Sequence, residues 1–68
     1  MMAEDIKFTL EMIRLNLGKS RQEMADLLEI SLDRYNRLVA GDSRMLAIEL
    51  IKLMDISNLK AENIKILS

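Results

Sequence analysis

The stretch Ser20-Arg-Gln-Glu-Met-Ala-Asp-Leu-Leu-Glu-Ile-Ser-Leu-Asp-Arg-Tyr-Asn-Arg-Leu-Val-Ala-Gly41 decides the fold. It reads as two short helices joined by a turn too brief to do more than fix their angle, the helix-turn-helix pattern. Ser20 and Glu23 make a Ser-x-x-Glu capping box, in which the hydroxyl accepts from the Glu23 amide and the carboxylate reaches back to the Ser20 amide. A helix therefore starts after Ser20, turns Met24, Ala25, Leu27 and Leu28 inward, and ends near Leu28. Ser31 is a second N-cap, with Asp33 in the positive first turn of the next helix. That helix runs from Leu32 to Ala40, buries Tyr35, Leu38 and Val39, and stops at Gly41.

On the amino-terminal side, Ile6, Leu10, Ile13 and Leu17 recur at steps of three and four and share one helical face. Gly18 follows, and a glycine just past a helix end accepts the left-handed conformation that closes the last turn. The spacing predicts a first helix from about Asp5 to Leu17. On the other side, Asp42 or Ser43 caps a fourth helix in which Leu46, Leu50, Leu53 and Met54 form a stripe beside Ala47 and Ile51, a pattern that predicts deep burial. Asp55 to Asn58 is a break. Leu59 to Ile64 reads as a last helical turn or two, while Asn63 to Leu67 alternates weakly and also fits an extended strand.

These elements add up to one all-α domain over residues 1–68, a compact bundle of four to five helices. At this length a folded chain buries only about 60% of its extended-chain surface. Half the residues are apolar, but Phe8 and Tyr35 are the only aromatics, so the core is built from Leu, Ile and Met. The absence of Cys and His removes disulfides, thiolate nucleophiles, imidazole acid–base chemistry and the usual zinc ligand sets. No enzyme activity, metal or cofactor is expected. No apolar run approaches the roughly 20 residues of a membrane span, and the acidic start Met1 to Asp5 lacks the basic segment of a secretion signal, so a cytoplasmic location is expected.

In Glu23-Met-Ala25, Ile30-Ser31, Tyr35-Asn36-Arg37-Leu38 and Gly41, in that order and spacing, the chain resembles the DNA-binding domain of the lambda repressor and Cro class of phage-type regulators. The resemblance spans roughly Ile6 to Ile64. It implies a compact five-helix fold with the helix after Ser31 in the DNA major groove, and a sequence-specific regulator of double-stranded DNA. Ser31, Leu32, Asp33 and Arg37 are then the positions that meet base edges. Arg37 suits guanine O6 and N7, Asp33 cytosine N4, and Leu32 a thymine methyl. Ser20, Arg21, Gln22 and the amides that open their helix would meet a phosphate, as helix amino ends do; Arg34 and Arg44 are further phosphate candidates.

The chain departs from the family at several positions. Val39 stands where an acidic residue usually pairs with an arginine of the first helix, which leaves Arg14 for a phosphate. Glu29 stands where the turn usually has a left-handed glycine, so strain is expected there. Lys19 replaces an apolar residue, Arg21 a frequent glutamine, and Asp42 a frequent phosphate-binding base.

Charge separates two readings. Ten basic against eleven acidic residues give a net charge of −1, while residues 30–44 alone sum to +1. Phosphate neutralisation supplies much of the affinity of a DNA binder, and the weak balance favours a homodimer, in which two recognition helices about 34 Å apart read two half-sites. Phe8, Met12 and Leu15 on a second side of the first helix, with Ile56, Leu59, Ile64 and Ile66 near the carboxyl end, supply apolar surface for such a contact. The rival is a protein-interaction module that keeps the scaffold and binds a regulatory protein partner instead of DNA.

Overall fold

The computed structural model of the chain describes residues 8–65. They form four α-helices, α1 (Leu10–Leu17), α2 (Arg21–Leu28), α3 (Leu32–Ala40) and α4 (Ala47–Ser57), followed by a 3-10 turn, Ala61–Asn63. The domain is a small all-helical bundle. Among the described residues the only extended pairing is an isolated parallel bridge between Phe8 and Ile64, and no helix is long and apolar enough to cross a membrane.

The caps expected from the sequence set the bounds of α2 and α3. The Ser20 hydroxyl accepts from the Glu23 amide at 3.1 Å, and the Ser20 amide donates to Glu23 Oε1 at 2.7 Å. The Ser31 hydroxyl accepts from the Arg34 amide at 3.0 Å. Gly41 closes α3 at φ 82°, and Glu29 closes α2 at φ 60°, in the left-handed region where a side chain is strained. Glu29 also makes a contact that a glycine would lack. Its carboxylate accepts from Lys52 Nζ at 2.7 Å, so the residue that ends α2 also ties that end to α4.

The core consists of Leu10 and Ile13 from α1, Met24, Ala25 and Leu28 from α2, Tyr35 and Leu38 from α3, Leu53 from α4, and Ile64. The α2 helix packs on both α3 and α4, and α1 packs on α3. Ala25 is completely buried, where a larger side chain would hold the helices apart.

Several boundary and burial expectations are corrected. The first helix begins at Leu10 rather than near Asp5, since Thr9 is its N-cap and accepts from the Met12 amide at 3.2 Å. Phe8 is extended because its amide donates to the Asn63 carbonyl and its carbonyl accepts from the Lys65 amide, both at 2.8 Å; Asp5 to Lys7 lie outside the described residues. The fourth helix starts at Ala47, not after Asp42 or Ser43. There the Leu46 amide is satisfied by Glu49 Oε1 at 2.8 Å, a cap supplied from inside the helix.

Nor is α4 deeply buried. Leu53 is enclosed, but Leu46, Ile48 and Ile51 are each more than half exposed. Leu27 likewise faces outward, and Val39 is only half-buried. The break expected at Asp55 to Asn58 is only the left-handed Asn58, at φ 63°, because α4 continues through Ser57. Beyond it the chain makes the short 3-10 turn and then the extended Ile64, so each reading of the carboxyl end holds for part of it. Ile66 and Leu67 lie outside the described residues.

Candidate nucleic-acid interface

One side of α3 is core and the other is open. Tyr35 and Leu38 point inward, while Leu32, Asp33, Asn36, Arg37 and Ala40 are exposed at spacings that place them on one stripe of a helix. Arg37 Nε lies 3.1 Å from Asp33 Oδ2, one turn away on that stripe. Ser31, Leu32, Asp33 and Arg37, the positions that the resemblance assigns to base edges, thus occupy the cap and the open face of one helix. The Asp33–Arg37 pair is exposed to water on both sides, where such pairs hold weakly and are easily exchanged.

The amino end of α2 lies against this stripe. Arg21 Nη1 donates to Asn36 Oδ1 at 2.9 Å, which joins the first residue of α2 to the middle of the α3 face. Helix geometry leaves the amides of Arg21 and Gln22 without intrahelical acceptors, and the positive end of the helix dipole favours an anion there. The Gln22 side chain donates along its own helix to Asp26 Oδ1 at 2.9 Å.

Behind Arg21 stands Glu11, from α1. It accepts from Arg14 Nε at 2.8 Å, from Arg21 Nη2 at 2.9 Å and from the Tyr35 hydroxyl at 2.8 Å. The guanidinium of Arg14, more than the Tyr35 and Arg21 bonds, holds the Glu11 carboxyl well below its usual range, at about 2, against a smaller upward push from burial. Burial, and then the neighbouring carboxylate, push the Tyr35 hydroxyl far above its ordinary value, so it remains a donor. Two guanidiniums share the Glu11 carboxylate, so this cluster of three side chains carries one net positive charge, beside the Glu23 carboxylate that caps the α2 amino end.

Arg14 is therefore not left free for a phosphate. With Val39 unable to pair with it, Arg14 takes Glu11 from one turn earlier in its own helix and also donates through Nη1 to the Lys19 carbonyl at 2.9 Å. Arg34 is similarly engaged, on the α4 side of α3 and off the open stripe. It donates to the buried Glu49, with Nη2 to Oε1 at 2.8 Å, and to the Arg44 carbonyl at 3.1 Å. The Arg34 guanidinium is the main reason that the Glu49 carboxyl stays below its usual range despite burial. The Arg44 side chain is exposed and forms no ion pair among the described residues.

Asn36 belongs to this surface and was missed by reasoning from sequence. Its place three residues after Asp33 and four before Ala40 was the available signal, since these positions share the stripe. Among the described residues no three acidic side chains gather as a metal site. No family model, no curated protein and no solved structure matches this chain.

Proposed function

We propose that this protein is a sequence-specific double-stranded DNA-binding regulator of phage or mobile-element type, with α2 and α3 as a helix-turn-helix of the lambda repressor and Cro kind and α3 as the recognition helix. The observation that carries this reading is the Arg21–Asn36 hydrogen bond. It makes the anion-favouring amino end of α2 continuous with the exposed side chains of α3, so one surface offers both a phosphate grip and a set of base readers. The three-residue turn Glu29 to Ser31 between the two helices supports the same reading.

Each monomer carries a net charge of −1, with a positive excess only in the segment 30–44, so the active form is a homodimer on two half-sites, which raises affinity by linking two weak contacts. A shallow apolar groove of about 600 Å³ between α1 and the end of α4, lined by Phe8, Met12, Leu15, Leu17 and Leu59, supplies apolar surface on the side of α1 proposed for the contact.

Selection from random duplexes tests the proposal. The expected product is a short repeated half-site bound with an affinity that falls steeply as salt rises. Arg37→Ala should erase preference at one base step, a loss on the order of tenfold or more. Weak binding that is uniform across sequences overturns the proposal. The exposed Leu46, just before α4, and Ile48 and Ile51 within it favour a second reading, a module that binds a regulatory protein; that reading expects little DNA binding at any salt.

A further inference from the structure

Asn36 is attached to the core by a chain of hydrogen bonds. The Tyr35 hydroxyl, on a completely buried residue, donates to Glu11 Oε1. Glu11 Oε2 accepts from Arg21 through Nε at 3.2 Å and Nη2 at 2.9 Å. Arg21 Nη1 then donates to Asn36 Oδ1 at 2.9 Å. A guanidinium has donors only, so it can hold the oxygen of the Asn36 amide but not its NH2. Turning the amide over would set N–H against N–H. The oxygen therefore faces Arg21, and the NH2 is directed away from it on the exposed side of α3.

Resting on the DNA-reading function proposed above, we infer that Asn36 reads a base edge as a fixed hydrogen-bond donor, with Arg21, braced by Glu11, as the residue that fixes its sense. A freely turning asparagine is ambiguous in the major groove, since its oxygen can accept from cytosine N4 as readily as its NH2 can donate to an acceptor. A held one is not. Guanine, adenine and thymine each present an acceptor in the major groove, whereas cytosine presents only its N4 donor. The base facing Asn36 is then any base except cytosine, and Arg21 is what enforces the exclusion. Arg21 Nη1 and Nη2 each keep a further hydrogen for a phosphate, so the same residue couples backbone grip to base choice.

The test uses the full chain and its selected duplex, with each position of the half-site varied in turn. Asn36→Ala identifies the step: discrimination against cytosine, on the order of tenfold, disappears at one position. Arg21→Met keeps the length of the side chain without its donors. It should weaken binding to all sequences, through the lost phosphate contact, and in addition remove the cytosine penalty at the Asn36 step alone. Both side chains are exposed, so both variants should fold, which circular dichroism checks. Arg21→Met weakening every sequence equally with the penalty intact, or Asn36→Ala changing no step, overturns the inference while leaving the regulator reading in place. Absence of specific binding by the unaltered chain overturns both.

Discussion

The molecule holds two arginine–glutamate clusters of the same chemistry in different surroundings. Glu49 is buried and takes one guanidinium, that of Arg34, together with the Leu46 amide. Its acceptors and their donors match, charge cancels, and the result is a brace that fixes the segment between α3 and α4. Glu11 stands at the edge of the core, its side chain still 23% exposed, and takes two guanidiniums and a phenol. Charge does not cancel there, and Arg21 reaches beyond the cluster to the open face of α3. A carboxylate matched to one arginine cancels its charge and builds structure; one shared between two leaves one positive charge uncancelled.

Removing Glu49 should break the comparison most severely. Glu49→Leu takes the partner from Arg34 and the acceptor from the Leu46 amide. The expected loss is about 3 kcal/mol, a large part of what so short a domain holds, and urea unfolding measures it. Glu11→Gln should cost less, about 2 kcal/mol once screening by water at its exposed edge is allowed for.

Acid sharpens this second case. The folded Glu11 carboxyl lies at about 2 against an ordinary 4.5, so its contribution is complete above pH 4.5 and is lost as pH falls through that interval toward 2. Glu49, also depressed, adds a loss of the same sign. The unfolding free energy of the unaltered chain should therefore fall on acidification, and Glu11→Gln should flatten that slope while Glu49 retains its share. An unchanged slope would mean that Glu11 is not held by its arginines in solution.

Smaller effects follow. Tyr35→Phe removes one bond to Glu11 but leaves both guanidiniums on it, so a loss of about 1 kcal/mol is expected, read by the same unfolding measurement. Glu29→Gly relieves the left-handed strain at φ 60° and gives up an exposed pair with Lys52 that holds weakly. A rise of a few degrees in melting temperature is expected; a fall would show that the tie from α2 to α4 outweighs the strain.

The parts of the fold that were legible are those written in local chemistry. Ser20 with Glu23, Ser31 and Gly41 act within one turn of themselves, and so the bounds of α2 and α3 emerged from the residues alone. Helix α1 misled because the three-and-four spacing continues unbroken from Ile6, while the pairing that makes Phe8 extended comes from Asn63 and Lys65, far along the chain. Helix α4 misled for a different reason. Leu46, Ile48, Leu50, Ile51, Leu53 and Met54 are apolar on too many sides for their spacing to say which face is inward. The pairs Glu11–Arg14 and Asp33–Arg37 sit three and four residues apart on one helix, a spacing the sequence shows. The partners of Arg21 and Arg34 were not legible, because those guanidiniums reach across helices and their choice of carboxylate is a property of the packed structure.

The sequence by itself determined that the chain forms helices with these central caps and a short fixed turn, since capping, glycine conformation and apolar periodicity act over a few residues. Tertiary structure alone decided which arginines brace the fold and which reach the open face, that Asn36 joins that face, and that Leu46, just before α4, and Ile48 and Ile51 within it stay exposed. The cross-helix contacts among those outcomes, such as Arg21 with Asn36 and Arg34 with Glu49, join residues fifteen positions apart and exist only once the helices have packed.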